Sequence, residues 1–488
     1  MSSKSIIAID QGTTSTRAIR FGRDGSIEAI ASRELPQHYP QDGWVEQNPE
    51  DIWAGALECL RAVMDDSARA IGITNQRETV ILWDRETGLP LHNAIVWQDR
   101  RTADICERLK ADGLETEVRA KTGLLLDPYF SATKLGWLLD HIPGARQRAE
   151  RGQLAAGTVD SFLLWRLTGR RVHATDLTNA SRTMLYDIHC REWDEGLLAL
   201  FNIPFTVLPE VHDNAHIFGE TDSALTGRSL PIAGMAGDQQ AALIGQRCFA
   251  PGMVKSTYGT GCFLLANIGD TSTLSTNRLL TSPAYRIGDE AAYALEGSIF
   301  IAGAAIKWLR DTLGIIASAE DTARLAANVP DDHGVHLVPA FVGLGAPHWR
   351  SDVRAAITGV TLDTGPAHFA RAALEAAAFQ TGDLLDAITA DGVAPPALLR
   401  IDGGMASNDW FAQCLADLIG VTVERPANLE TTAFGAALLA GLTVGLWPDK
   451  NGPSVLANGV SRYQPLLGTS ERSRRRDGWQ AALRQLLA

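Results

Sequence analysis

The stretch Ile6–Arg17, IIAIDQGTTSTR, decides how this chain is read. Ile6, Ile7, Ala8 and Ile9 form an apolar run that spells a short buried strand. Asp10 lies at its end, and Gly12 lets the chain turn through φ/ψ space closed to other residues. Thr13, Thr14 and Ser15 then crowd amides and hydroxyls around one concave spot, which suits a phosphate. Arg17 adds a fixed positive charge, and Asp10 can hold Mg²⁺ directly or through water. The same residues also fit an ordinary hairpin with hydroxyl side chains in its turn. The rest of the chain has to decide between the two.

At 488 residues the chain exceeds what one core holds and implies two large domains or more. Its 45% hydrophobic and 21% charged residues are those of an ordinary soluble globular protein. A net charge of −13 gives no general attraction to nucleic acid or an anionic membrane, so an anionic substrate needs a local basic pocket. The densest basic run, Arg472 to Arg476, is bracketed by Glu471 and Asp477 and reads as a solvated helix face. No window reaches the ~18 unbroken apolar residues of a membrane span. The N-terminus enters a strand without the apolar region of a secretory signal. Six scattered cysteines with no C-x-x-C pair fit a reducing cytosol and offer no zinc framework. The expectation is therefore a cytoplasmic protein with no nucleic-acid partner and no membrane insertion. His212 and His216 lack the intervening Glu of H-E-x-x-H and read as surface or packing residues.

Taken in order, Asp24-Gly25 marks a second turn and Ile27 to Ser32 a further strand. Such a meander is unlike a dinucleotide-binding start. No G-x-G-x-x-G follows the first strand, and no Gly-Lys pair occurs, which excludes a Walker loop. Asn48-Pro49-Glu50-Asp51 starts a helix with a cap, a first-turn proline and acids against the dipole, and Trp53, Leu57 and Leu60 share one side. The strand Ala68 to Thr74 ends in Asn75-Gln76-Arg77-Glu78. An Arg-Glu pair just past a strand's C-terminal end sits where α/β sheets place ligand groups. Its donors and acceptors together can bracket vicinal hydroxyls; a surface ion pair of little worth is the competing reading. Trp97 reads as core. Asp127 to Phe130 reads as a turn exposing the Tyr129 hydroxyl ahead of a helix with Lys134 and Trp137. Leu230 to Ala236 is a strand running into Gly237-Asp238-Gln239-Gln240. Asp238 there is either a plain N-cap or a general base for a hydroxyl in phosphoryl transfer.

Near residue 250 the pattern restarts. Gly252 to Thr257 is a strand, Tyr258 to Gly261 a Gly/Thr turn, and Cys262 to Ala266 another strand, which repeats the opening as a degenerate duplication. Two domains with a nucleotide between them explain the echo. Later, Leu295 to Ser298 leads to a small-residue helix start at Gly303. Leu398 to Asp402 ends in Gly403-Gly404 before a helix capped near Ser407-Asn408, where backbone and helix end can approach an anion. TAFGAALL, 432 to 439, implies a closely packed helix, Pro448 to Pro465 reads as loop-rich, and a helix closes the chain around Trp479 to Leu487.

Over essentially its whole length the chain resembles the FGGY carbohydrate kinases. YFSATKLGWLLDH, 129 to 141, resembles the first signature of that family, and AAITGV with HFARAALE, within 355 to 375, the second. The runs DQGTTSTR, GITNQRET, NAIVWQ, GLLLDPYFSATK, TDLTNASRTML, AGDQQAAL, STYGTGCF and YALEGSIFIAG are similar, in this order, to family members that act on glycerol. The resemblance implies two α/β domains of the actin-like, ribonuclease H-like type, 1–247 and 248–488, with ATP and substrate in the cleft between them. It implies that Arg77, Glu78, Tyr129, Asp238 and Gln239 bind glycerol, walled by Trp97 and Phe263, with Asp238 as general base. Thr13, Thr14, Ser15 and Arg17 would meet the phosphates, with Thr260 on the other side. Gly303, Lys307, Gly404 and Asn408 would line the nucleotide, and Asp10 and Asp238 would hold Mg²⁺. Lys307 stands where Gln is common in the family, Thr16 where Ser is common, and Met405 bears on the shape of the turn at Gly404. The loop Thr221 to Ser229 lacks glycine-rich basic character and is assigned no regulatory site. Relatives suggest a homodimer or homotetramer. Against phosphorylation of glycerol stand a kinase of the same family for another polyol or ketose, and a non-enzymatic ATP-binding scaffold.

Overall fold

Ile6, Ile7, Ala8 and Ile9 are wholly shielded from solvent, as a strand covered on both faces requires. They belong to β1 (Ser5–Gln11), which turns into β2 (Ser15–Gly22) and then β3 (Ile27–Glu34). The computed structural model describes residues 4–331, 333–453 and 459–488. Helix α1 (Pro49–Val63) starts at Asn48, whose side chain accepts from the Glu50 N–H, and leads to β4 (Ala68–Asn75). The half closes with β5 (Gly219–Glu220) and β6 (Pro231–Gly237), followed by α2 (Asp238–Gly245).

Among the described residues this half forms a sheet ordered β5-β6-β4-β1-β2-β3. β1, β2 and β3 run antiparallel, whereas β1, β4 and β6 run parallel. The second half is built the same way from β7 (Val254–Tyr258), β8 (Cys262–Gly269), β9 (Leu280–Ile287) and β10 (Glu290–Ile299), then β11 (Leu398–Asp402), β12 (Thr422–Pro426) and β13 (Val460–Tyr463). Its order is β9-β10-β8-β7-β11-β12-β13. β7, β8 and β10 are antiparallel, and β7, β11 and β12 parallel. Strand for strand, β10-β8-β7-β11-β12 repeats β3-β2-β1-β4-β6, so the echo seen in the chain is a duplicated sheet topology.

The halves are locked by helices that follow equivalent strands. α2 follows β6, and α3 (Thr431–Thr443) follows β12. A Cβ on Gly435 of α3 would fall 1.9 Å from the Ala241 carbonyl, and one on Gly72 of β4 would fall 2.2 Å from that of Ala436. α3 therefore belongs by sequence to the second half and by packing to the first, and one apolar cluster joins Ile6, Ile19 and Leu243 to Phe434 and Leu438.

Several expectations are corrected here. Gly12 turns without a positive φ; its use is space, since a Cβ would meet the Ser15 carbonyl at 3.3 Å. Tyr129 is buried, only 2% exposed, because its ring packs on Trp97 and Phe130. The basic run is a solvated face only in part: Arg474 is exposed beside Glu471, but in α4 (Thr469–Leu487) Arg475 reaches the buried Glu375 at 2.5 Å, and Arg472 donates to the carbonyls of Asp417 and Leu467. The stretch Pro448 to Pro465 contains β13, and residues 454–458 lie outside the described residues. His212 and His216 stack on each other at 4.1 Å, as packing residues do.

Candidate active site

The β1–β2 turn and the β7–β8 turn occupy equivalent places in the two sheets, and both open on one cleft of about 930 Å³. That volume lies in the range of small-ligand sites. Thr13 and Thr14 line it from one half, and Gly259, Thr260 and Gly261 from the other. Arg77, Glu78, Trp97, Tyr129, Asp238, Gln239 and Phe263 line it as well, as do Gly303, Lys307, Gly404 and Asn408. Ser15, Arg17 and Asp10 do not line the cleft wall. Arg17 is drawn 3.0 Å from Glu430 instead.

Arg77 and Glu78 follow the end of β4 and are 2% and 1% exposed, which rules out a surface pair. The Arg77 Nη1 and Nη2 donate to the two oxygens of Glu296, on β10, at 2.6 and 2.9 Å. Its Nε lies 3.2 Å from Asp238 Oδ1. Arg182 donates to Glu78 at 2.5 Å and to Glu296 at 3.2 Å. Two guanidinium and two carboxylate groups thus alternate in a dry region, where each charge needs its partners. Burial works against ionisation of Glu296, but Arg182 and Arg77 overcome it and hold its carboxyl at about 2. Glu78 is raised by burial, with Arg182 and Arg77 opposing. Glu78 also sits at φ +61°, a left-handed conformation costly for a side-chain-bearing residue and typical of functional positions.

Asp238 is not the cap of α2. Gly237 takes that position, and Asp238 is the first helical residue, its side chain 29% exposed and accepting from the Gln239 N–H at 2.7 Å. Burial raises its carboxyl above the ordinary range, with Arg77 and Lys255 opposing. Lys255, on β7, donates to Gln239 Oε1 at 2.6 Å and to Thr257 Oγ1 at 3.0 Å. An ammonium only donates, so the Gln239 carbonyl is held by Lys255 and its amide N–H groups are left for a ligand. The Trp97 ring stands edge-on to Tyr129 at 5.5 Å and Phe263 at 6.0 Å, making an apolar wall beside this polar set.

Gly303, Lys307, Gly404 and Asn408 come from the second half. Gly403 turns at φ +88° where a Cβ would fall 2.4 Å from the Tyr258 carbonyl, and Asn408 caps the helix Asp409–Ile419 by accepting from the Phe411 N–H. Asp10 is pushed up to about 7 by burial and by Glu430, with Arg17 opposing and Asp238 adding to the rise.

Residues 5–245 match the N-terminal domain of the FGGY family of carbohydrate kinases, and residues 254–444 match its C-terminal domain. The chain belongs to the FGGY family of carbohydrate kinases. This FGGY kinase is 60% identical over 486 residues to the glycerol kinase of Rhodospirillum centenum, covering 98% of this chain and 97% of that one. It is 58% identical over 487 residues to the glycerol kinase of Gluconobacter oxydans, covering 99% and 95%. Its fold matches a crystal structure of Plasmodium falciparum glycerol kinase with ADP, with a TM-score of 0.92, 37% identity and coverage of 100% and 99%. A xylulose kinase from Lactobacillus acidophilus shares the fold with a TM-score of 0.87 at 22% identity. Three site residues of the FGGY kinase were not singled out from the sequence: Arg182, Lys255 and Glu296. Arg182 lies in TNASRTML and Glu296 in YALEGS, so the runs were visible although the roles were not.

Proposed function

We propose that this kinase transfers the γ-phosphoryl group of ATP to a terminal hydroxyl of glycerol, giving sn-glycerol 3-phosphate and ADP. The observation that carries this reading is the buried Arg77–Glu78 bracket with Asp238 beside it. It supplies fixed donors and acceptors for a small uncharged polyol, the guanidinium groups of Arg77 and Arg182 being already paired with Glu78 and Glu296. The relatives at 58 and 60% identity support the choice of substrate.

In this reading Arg77, Glu78, Tyr129 and Gln239 hold the hydroxyls, while Trp97 and Phe263 cover the carbon chain. Asp238 accepts the proton of the attacking hydroxyl as its oxygen bonds to the γ-phosphorus and the bond to the β-γ bridging oxygen breaks. A carboxyl raised above its usual range is a better acceptor at neutral pH, and such general-base help is worth ~10²–10⁴-fold. Thr13, Thr14 and Thr260 meet the phosphates from the two turns; Gly303, Lys307, Gly404 and Asn408 border the nucleotide. Ser15 and Arg17 do not reach the cleft wall, Arg17 being paired with Glu430, and take no part in this reading. The residues fit Mg²⁺, which takes one or two carboxylates plus substrate phosphates. Asp238 on the cleft wall would hold it, with Asp10 behind the wall and near enough for Asp238 to raise its carboxyl, and among the described residues no larger cluster of ligating side chains gathers. When bound it would neutralise charge on the phosphates. Enclosure of ATP and polyol between the two halves excludes water that would otherwise hydrolyse ATP.

A coupled ADP-release assay over a panel of polyols and ketoses tests the reading. Glycerol should be turned over best. Equal or better turnover of a pentulose would overturn the substrate, and ATP binding with no polyol-dependent ADP release would overturn the activity.

A further inference from the structure

The β1–β2 turn has every carbonyl occupied from the protein side. Gln11 Nε2 donates to the Gly12 carbonyl at 2.7 Å, and Gln76 Nε2 lies 3.3 Å from it. Gln47 Nε2 donates to the Thr13 carbonyl at 2.6 Å, and the Leu35 N–H to that of Thr14 at 2.9 Å. The three glutamines are fully buried or nearly so, and they close on one another: Gln76 Nε2 donates to Gln47 Oε1 at 2.9 Å and to Gln11 Oε1 at 3.1 Å, while Thr79 Oγ1 donates to Gln76 Oε1 at 2.9 Å. The Trp97 indole N–H donates to Thr13 Oγ1 at 3.0 Å.

A peptide unit is planar and trans, so its N–H points away from its C=O. Pinning the Gly12 and Thr13 carbonyls inward therefore aims the N–H groups of Thr13 and Thr14 the other way, and among the described residues neither N–H has a protein acceptor. The Thr13 hydroxyl accepts from an indole that can only donate, so its own proton is free to be given outward. The backbone of the turn presents donors alone.

We propose that Gln47 and Gln76 are positioning residues for phosphoryl transfer, holding the turn carbonyls away from the cleft so that the Thr13 and Thr14 amides meet the transferred phosphate. The proposal rests on the reading of this turn as the phosphate-binding element. It also gives Gln76 a purpose beside its neighbours: the segment that ends β4 sets the phosphate turn through Gln76 and the substrate bracket through Arg77 and Glu78.

The test uses the full-length enzyme with Gln47→Met, which keeps the side-chain length and removes the donor. The Thr13 peptide is then free to turn its carbonyl toward the phosphates. Expected is a kcat loss of about 10²-fold, the order found for a lost or misaimed transition-state donor. Affinity for ATP should fall, while adenosine affinity and the KM for glycerol stay near wild type. A kcat within about 2-fold of wild type, or a loss shared equally by adenosine and ATP, overturns the positioning role. Should that variant not fold, Gln47→Glu keeps the size and the acceptor used by Gln76, and the same readouts decide. Thr14→Glu separates the two readings by placing a negative charge on the turn. Unchanged ATP affinity there removes the phosphate-binding reading itself, whereas weakened ATP binding there with a silent Gln47→Met removes only the positioning role.

Discussion

Asp238 and Lys134 show how burial alone can retune a side chain. In Asp238→Asn the amide cannot accept the hydroxyl proton, yet it keeps the shape beside Arg77. The fold and ATP affinity should persist while kcat falls at least ~10²-fold, measured by steady-state turnover and calorimetric ATP binding. Near-normal kcat would return Asp238 to a structural role. Lys134 is fully buried, with its Nζ donating to the Tyr129 carbonyl at 2.6 Å. Burial lowers it from its usual 10.5 to about 7, against the pull of Glu78 and Asp99. The folded value lies below the unfolded one, so between about 7 and 10.5 the unfolded chain binds the extra proton and stability from this site rises with pH. Below about 7 the cost of the buried charge is fully present. Denaturant midpoints of the wild type relative to Lys134→Met should therefore improve from pH 7 to pH 9. A constant difference across that range would contradict the assignment.

At the scale of elements, the contact of α2 with α3 depends on glycine where the two backbones meet. Gly435→Ala would place a methyl 1.9 Å from the Ala241 carbonyl, and no rotamer relieves a clash with backbone. The helices must part, which should cost about 1–3 kcal/mol, the range for overpacking a close-packed interface. Denaturant unfolding reads the loss; a change below ~0.5 kcal/mol would mean that the helices slide freely, against close packing at this joint.

For the molecule as a whole, the proposed substrate bracket of the first half is completed by charges from the second. Glu296 on β10 neutralises Arg77 and Arg182, and Lys255 on β7 holds Gln239. Glu296→Ala leaves two buried guanidinium groups short of a partner, a change that costs about 3–5 kcal/mol when a buried pair is broken. The thermal midpoint should fall, and the KM for the polyol should rise well before that for ATP, because the proposed bracket loses the carboxylate that fixes Arg77. Glu296→Gln, which keeps one acceptor and the shape, should recover part of both. A KM for the polyol that stays at the wild-type value in Glu296→Ala would show that the bracket does not depend on the second half.

What the chain determined by itself is local. The apolar run before Asp10, the turn residues behind it, the echo at Tyr258 to Gly261 and the caps at Asn48 and Asn408 follow from periodicity and turn chemistry within a few residues. That Arg77 with Glu78 ends a strand and Asp238 with Gln239 opens a helix was legible for the same reason, whereas the preference for their site roles came only with the resemblance to the FGGY kinases. Tertiary structure alone decided what burial and distant partners decide. Glu296 meets Arg77 across 219 residues of chain, and Glu430 takes Arg17 across 413. Tyr129 went inside although its turn read as exposed, and Asp238 lost the cap to Gly237 yet kept its place beside Arg77. Periodicity and capping act along the chain, whereas desolvation and charge pairing depend on which surfaces meet once two duplicated sheets close on each other.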